Sequence, residues 1–471
     1  MKTRKGKTLQ LILGAFLALA APAVAQEDVV LTLDTARQIM VRAAQGDNPQ
    51  LALAIAEEIL AQNPDDRSAL IVVGVAAPLL GDAARGQRAA QRAWWLSETP
   101  AQRYEAARVA ALAANSAERY GLAGLWLRVA LISAPDEASR SQTLRDAATV
   151  SQRNPWSVQV TGSLFPSNNV NGGADSDISS APGNPTGTLS DDAIALSGWR
   201  GSFGLSFGYR LTESEKQRTV LGGQFNISRV LITEETPVPD AAFDSQSREI
   251  SLRHDRALEN GTISFSGALG SVDYTDTDRV TTGGSGSPFV YVTSTERYSF
   301  GRVGLERRLP LSDTAIVSLS YARELLRYEN IAIGEINRNR LGASILQGLP
   351  SGDRLNLSYS LTDSVGDNTN YTSRENTVRL VYAWSEPIGP VSLSVGGGFL
   401  WADYPDYRLL SSVTGGRQDR TKFLEANIGF PGVSFAGFTP GLRIDLSRTD
   451  SNVSRFDRNT ASVGFTISSQ F

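Results

Sequence analysis

The sequence predicts a two-part fold of multidomain α and β class, an α-solenoid over 26–153 followed by a fourteen-stranded antiparallel transmembrane β-barrel over 154–471. Three observations predict it. Apolar residues keep helical spacing up to "NPWSVQV" and change there from a period of about 3.6 to a period of 2. No stretch beyond the amino-terminal leader reaches the roughly 18 consecutive apolar residues that a membrane helix needs, so membrane embedding has to use strands. The polar faces of the alternating segments hold Ser, Thr, Asn, Gln and Gly with scattered Arg, a composition that suits a hydrated lumen better than the Lys and Glu surface of a soluble sandwich.

The chain starts with Lys2, Arg4, Lys5 and Lys7, then an apolar run from Leu9 to about Ala21, then Ala23-Val24-Ala25 before Gln26. This is the three-part plan of a secretory signal peptide over 1–25. With no Cys, the chain can form neither a lipid-attachment site nor a disulfide. A net charge of -4 argues against nucleic acid as a partner. A single His and no Cys empty most of the catalytic and metal repertoire, whereas 43 Gly fit many strands and turns.

Residues 27 to about 153 are rich in Ala, Leu, Arg, Glu and Gln. In "LALAIAEEILAQNPDD", Ile55, Ile59 and Leu60 recur at helical spacing beside Glu57, Glu58 and Gln62. Helices are expected near 34–45, 48–62, 67–80, 82–97, 101–114, 117–133 and 136–152. Pro64, Pro100 and Pro135 stand 36 and 35 residues apart, close to the roughly 34-residue period of tetratricopeptide repeats. Such helix pairs stack into a short curved solenoid, and Trp94, Trp95, Tyr104, Tyr120 and Trp126 are candidates to line its groove. Aromatics at this spacing more often pack between helices, and a generic helical bundle is the structural alternative.

Fourteen strands follow: 156–165, 201–211, 219–228, 245–257, 262–270, 296–308, 315–323, 336–348, 354–361, 376–384, 391–401, 418–430, 437–449 and 460–471. Their apolar parities agree, with Phe203, Leu205, Phe207 and Tyr209 on one face and Leu355, Leu357, Tyr359 and Leu361 on another. The opposite faces carry Gln224, Asn226, Ser264, Ser318, Asn356 and Ser358. Aromatics such as Tyr209, Tyr382, Trp384 and Trp401 stand where a membrane interface is expected.

Short connections ("TESEKQ", "ENG", "PLSD", "PSGD", "EPIGP" and the turn at Pro431-Gly432) alternate with long ones at 166–197, 229–244, 271–295, 324–335, 362–373, 402–417 and 450–456. Barrels of this kind keep short turns in the periplasm and long loops outside, so both ends of the barrel, and the helical region before it, are expected in the periplasm. The last strand, "TASVGFTISSQF", has Phe465, Ile467 and Phe471 on its apolar face. A terminal strand closing on an aromatic resembles the signal read by the outer-membrane barrel-insertion machinery, which makes that machinery an expected partner alongside membrane lipid.

The junction "NPWSVQVTGSLFPSNNVNGG" (154–173), with a strand running into Ser167-Asn168-Asn169-Val170-Asn171, resembles the first barrel strand and following loop of the surface lipoprotein assembly modulator (Slam) family. The order of a helical repeat domain and a barrel of this size fits as well. The resemblance implies help in delivering client proteins, often lipoproteins, across the outer membrane to the cell surface, and implies no catalytic residue.

No nucleotide-binding, zinc or hydrolase motif is present, and no enzyme activity and no cofactor are expected. His254, in "SLRHDRAL", reads as an interfacial residue. Asp175, Asp177, Asp191 and Asp192 match no EF-hand spacing and read as a solvated loop, with calcium as the alternative. Arg210, Arg340, Arg354, Arg379, Glu425, Arg443 and Asp445 fall on lumenal parity, where they either guide a passing molecule or brace the wall. The leading functional expectation is a component assisting translocation or display of a client (lipo)protein, and the alternative is a porin-like passive channel with a periplasmic docking domain.

Overall fold

The structure is a computed structural model that describes residues 32–46, 48–281, 289–433 and 438–470. The expected leader at 1–25 and Phe471 lie outside the described residues. The chain divides into two compact units between Asn154 and Pro155.

The first unit has seven helices: α1 (Leu33–Gln45), α2 (Pro49–Gln62), α3 (Arg67–Leu79), α4 (Ala83–Trp95), α5 (Pro100–Ser116), α6 (Tyr120–Ile132) and α7 (Glu137–Arg153). Local chemistry starts nearly all of them. Thr32, Asn48, Asp66, Asp82, Thr99 and Asp136 each accept a backbone N–H of the first turn, and Thr99 forms a full capping box with Gln102 ahead of Pro100. Ser139 donates its backbone N–H to Asp136 at 2.7 Å, which holds the Asp136 carboxyl below its ordinary pKa. The prolines therefore mark helix starts and interhelix loops: Pro100 opens α5, while Pro64 and Pro135 stand in the loops before α3 and α7.

Alanine dominates the interior, with Ala36, Ala52, Ala56, Ala69, Ala90, Ala106, Ala110 and Ala123 fully buried. Small side chains bring helix axes close, and between α3 and α4 a Cβ on Gly86 would stand 2.5 Å from Pro78. A repeated ion pair reveals the period. Arg37 of α1 binds Asp66 at the cap of α3, Arg67 of α3 binds Glu105 of α5 at 2.8 Å, and Arg108 of α5 binds Asp146 of α7 at 2.5 Å. Each arginine reaches the second helix onward.

The second unit is a closed barrel in which each strand pairs antiparallel with its chain neighbours and the last strand pairs with the first. The strands are β1 (Trp156–Ser167), β2 (Gly198–Glu213), β3 (Gln217–Ile232), β4 (Ser245–Leu258), β5 (Gly261–Thr281), β6 (Phe289–Pro310), β7 (Ala315–Tyr328), β8 (Glu335–Gly348), β9 (Arg354–Gly366), β10 (Ser373–Ala383), β11 (Ser392–Tyr404), β12 (Arg417–Gly429), β13 (Phe438–Ser451) and β14 (Arg458–Gln470). The fourteen expected strands are all present, and closure leaves no free edge.

One expectation fails. The segment 271–295 is not a long loop, because β5 and β6 stay paired from Thr262 with Arg308 out to Thr281 with Phe289. The run "SVDYTDTDRV" keeps a β-rich alternation of Val, Tyr and Thr with Asp, and paired backbone is more favourable there than a solvated loop. The turn near Pro431-Gly432 is a short 3-10 helix, Pro431–Val433, and 434–437 lie outside the described residues.

Register fixes the faces. Phe203 pairs between Gly162 and Ile227, Leu252 between Leu221 and Gly267, and Leu357 between Ile345 and Leu380, so one apolar parity runs from strand to strand. That parity is the outer one and is open rather than packed, with Leu269 67%, Val303 61%, Leu424 60% and Phe465 65% exposed. A closed sheet with exposed hydrocarbon outside and hydroxyls inside is the arrangement in which strands cross a lipid bilayer. Among the described residues no helix is long and apolar enough to do so. On the outer face Trp156 packs on Tyr209 with ring centroids 4.6 Å apart, and Tyr382 packs on Trp384 at 4.7 Å. Higher on the wall, the Tyr321 hydroxyl donates to Asn339 at 2.9 Å and that of Tyr359 to Asn376 at 2.8 Å, so neither phenol faces hydrocarbon unpaired.

Candidate functional site

The inner wall of the barrel is the candidate site. Strand alternation alone puts Ser202, Gly204, Ser206 and Gly208 of β2 opposite the outward Phe203, Leu205, Phe207 and Tyr209, and the register carries this inner face around the wall. The seven charged residues chosen from sequence all share the inner parity.

Four of them meet. Glu425 pairs directly with Asp445 across β12 and β13, which sets two carboxylates side by side. Arg379 of β10 donates to Glu425, while Arg443 holds Asp445 at 2.9 Å and approaches Glu425 to 3.8 Å. The two guanidinium groups thus neutralise a carboxylate pair that would otherwise repel. The other three stand apart. Arg210 binds Glu213 beside the register shift between Arg210 and Thr212, Arg340 donates to Thr362 at 3.3 Å, and Arg354 stands at the start of β9.

A second inner network went unnoticed in the sequence. Arg253 of β4 binds Asp255 at 2.7 Å, Ser264 of β5 at 2.8 Å and Glu306 of β6 at 3.1 Å, and Arg308 binds Glu306 at 2.6 Å. One step along the wall, Arg302 bridges Glu249 at 2.7 Å and Glu324 at 3.5 Å, and Arg338 binds Glu324 at 3.2 Å. The signal was parity: Glu249, Arg253 and Asp255 share the face of Ser247 and Ser251, as Arg302, Glu306 and Arg308 share that of Gly304.

The loop after β1 folds toward this wall. Asn169, Val170, Asn171 and Gly172 line a cavity of about 700 Å³ together with inward Thr161, Ser163, Arg200, Arg443, Ser447 and Ser462. The asparagines that carried the family resemblance are its staples. Asn171 donates to the carbonyls of Asp192 at 3.0 Å and Ile194 at 2.6 Å and accepts the Leu196 N–H at 2.9 Å. Asn169 exchanges two bonds with Gly173, each 2.9 Å, and Asn168 accepts the Ala461 N–H of β14 at 2.8 Å. At Gly173 the returning strand of the loop comes so close that a Cβ would lie 2.2 Å from the Ile194 carbonyl oxygen. Val170 is consequently buried, against Leu196, Val230, Val238 and Ala242.

The acidic residues of that loop are spread out. Asp175 accepts the Asn459 N–H at 2.8 Å and Asp191 accepts the Tyr291 hydroxyl at 3.3 Å. Among the described residues there is no group of three or more metal-ligating side chains. His254 stands on the outer parity near a short turn, where its Nδ1 bonds the Thr219 hydroxyl at 2.9 Å.

At the long-loop end, aromatic residues and one arginine tie loops together. Arg417 is buried, bidentate to Asp419 at 2.5 and 3.1 Å, with its guanidinium 3.2 Å from the Phe456 ring centroid and 4.1 Å from that of Tyr404. Tyr407 packs on Phe456 at 5.7 Å, and its burial raises its hydroxyl pKa.

In the helical unit, the five aromatic candidates separate. Trp94 contacts Trp95 at 4.8 Å and Trp126 at 5.9 Å, both edge to face, and Tyr120 and Trp126 pack on the buried cluster of Ala111, Ala114, Ala123 and Leu127. The Tyr104 hydroxyl donates to the Ser139 carbonyl at 3.0 Å and lies 3.0 Å from that of Thr143, joining α5 to α7. Burial raises its pKa, but the Thr143 and Arg108 interactions outweigh that and hold it below the ordinary value. Only Trp95 is fully open, at 78% exposure.

No family model and no curated protein matches the chain. Among solved structures it is similar to a Pseudomonas aeruginosa FadL homologue, at 9% identity over 67% of this chain and 90% of that one, with a TM-score of 0.35. It is similar also to Acinetobacter baumannii OccAB4, at 8% identity over 68% of this chain and 98% of that one, with a TM-score of 0.32. A third likeness is a bacterial polysaccharide outer membrane secretin, at 10% identity over 68% and 99% of the two chains, with a TM-score of 0.33.

Proposed function

We propose that the chain is a bacterial outer-membrane transport barrel that assists passage or surface display of a client protein, with the helical unit capturing that client in the periplasm. The observation that carries the reading is the inversion of the barrel: its exposed hydrocarbon faces outward while its charges and hydroxyls face a polar interior. Barrels of this kind keep their short turns in the periplasm, and in this reading both ends of the barrel and the helical unit are on that side. Trp95, open beside the half-buried Trp94, gives the helical unit an aromatic anchor for an extended client segment. Client folding outside the cell would supply the direction of transfer. The junction's likeness to the Slam family fits this reading, with a surface lipoprotein as the client class.

A second reading is favoured by the inner ion-pair networks, since fixed charges along a pore are also what a selective solute channel uses. In it the helical unit only docks the channel to a periplasmic assembly. Removal of residues 27–153 separates the two. A client-display barrel keeps its conductance in planar bilayers and loses client at the cell surface, whereas a passive channel retains solute uptake and has no client to lose.

A further inference from the structure

The outer wall carries a feature that a uniform lipid-facing surface would not have. Over β10 to β13 it is dented, and the dent is a groove of about 990 Å³. Gly397 lies in its floor. On the outward parity of β11 this residue stands between Leu380 of β10 and Leu424 of β12 and adds no side chain of its own, and Leu424 leans over it, so that a Cβ there would stand 2.7 Å from Leu424 Cδ2 and push Leu424 into the groove. Val378, Leu380, Phe399, Leu424 and Leu446 form the sides, so the depression is apolar.

Its long-loop end is cationic. Lys422 and Arg448 line the same groove and are direct register partners across β12 and β13. Like charges directly opposite one another on one face repel, so this pair calls for an anion. Arg448 has Asp450 at 3.0 Å, while Lys422 has no ion pair among the described residues. Arg420, one outward position further along, is the register partner of the same Asp450. Asp450 thus pairs with Arg448 and stands opposite Arg420, Asp175 and Asp457 act on Arg448 as well, and Lys422 is left above a slot for hydrocarbon.

We propose that this groove binds one phosphorylated glycolipid of the outer leaflet, with acyl chain lying in the slot between Leu380, Phe399, Leu424 and Leu446 and phosphate held by Lys422, Arg448 and Arg420. The inference rests on the reading above that the barrel crosses the outer membrane with its long loops outside, since only that orientation puts the cations at the outer leaflet. Long cationic side chains there reach up to phosphate while their methylenes stay against the wall.

The test is native mass spectrometry of the full mature chain in nonionic detergent, incubated separately with bis-phosphorylated lipid A, with phosphatidylglycerol, and with lipid A in the presence of excess inorganic phosphate. Folding is followed in parallel by the heat-dependent gel mobility of the barrel. The expected result is one retained lipid A per chain, about fivefold less of it for each cation removed by Lys422→Gln or Arg448→Gln, and less with Gly397→Ala at unchanged charge. Retention unchanged in the double glutamine variant overturns the proposal, as does equal retention of phosphatidylglycerol or full displacement of lipid A by inorganic phosphate. Should Gly397→Ala not fold, the single Lys422→Gln variant decides. A wild-type chain that is a folded barrel yet keeps no lipid A refutes the groove alone; a chain with no heat-resistant barrel refutes the membrane reading beneath it.

Discussion

Asn171 reaches across the first loop and donates to the carbonyl of Ile194 at 2.6 Å while accepting the N–H of Leu196 at 2.9 Å. Truncation in Asn171→Ala leaves these groups and the Asp192 carbonyl without their partner, at about 1–3 kcal/mol for each buried group orphaned. The loop is then expected to open locally while the barrel stays closed. Amide exchange across 168–197 should quicken at least tenfold with β2 to β13 unchanged; equal exchange in variant and wild type would falsify the staple.

Arg417 is expected to be the costliest single truncation at the long-loop end. Arg417→Ala leaves Asp419, with a side chain only 6% exposed, lacking its cation, a change that costs about 3–5 kcal/mol in buried pairs. Arg417→Lys restores charge but not the flat stacking on Phe456 and Tyr404, and should recover only part of the loss. The temperature at which the barrel loses its compact gel mobility reports both, and full recovery by lysine would show that the rings contribute nothing.

The tryptophans of the helical unit are predicted to divide by role. Trp95→Ala, at an open position, should shift the unfolding of 32–153 by no more than about 0.5 kcal/mol while weakening client capture. Trp126→Ala, which removes a ring packed on Ala123 and Leu127, should destabilise the same helices by about 2 kcal/mol or more. Tryptophan fluorescence during denaturant titration of the full chain measures the first quantity and client pull-down the second. Loss of stability in Trp95→Ala would remove it from the client-binding surface.

Asp353, in the turn before β9, accepts the Tyr382 hydroxyl at 2.5 Å, the Ser385 N–H at 2.9 Å and the Ser351 hydroxyl at 2.8 Å, and these bonds, that of Tyr382 foremost, lower its pKa to about 2. A depressed carboxyl pKa stabilises the fold above the unfolded value of about 3.9 and loses that contribution as pH falls toward about 2. Asp353→Asn should therefore be less stable than the wild type at pH 7, with the difference shrinking between about pH 4 and pH 2. Unfolding midpoints of the pair across that range are the measurement, and a constant difference would exclude the linkage.

Most of the architecture was legible because it rests on local periodicity. The helix starts at Pro49, Arg67 and Glu137 lie within two residues of expectation, since their caps are written in neighbouring residues. Every barrel strand was found, because alternation with a lipid-facing side leaves a continuous mark, whereas the two-residue strands Ile178–Ser179 and Gly187–Thr188, which pair within the first long loop, are too short to leave one. What stayed hidden depends on contacts between distant residues. The pairing of Thr281 with Phe289 continues a ladder whose strength lies in its partner strand, and the inward fold of the first loop depends on Asn168 meeting Ala461. The inner site was half visible: parity marked Arg379, Glu425, Arg443 and Asp445, yet nothing in the chain order said that they would converge. Aromatic spacing on the helices could not distinguish the open Trp95 from the packed Trp126.

The pairing of Gln159 with Gln470 joins the first strand of the sheet to the last. A cylinder closed in this way is all or nothing: without either seam strand its neighbour keeps a row of unpaired amides and carbonyls that hydrocarbon cannot satisfy. The seam between β1 and β14 is therefore the joint on which the whole wall depends.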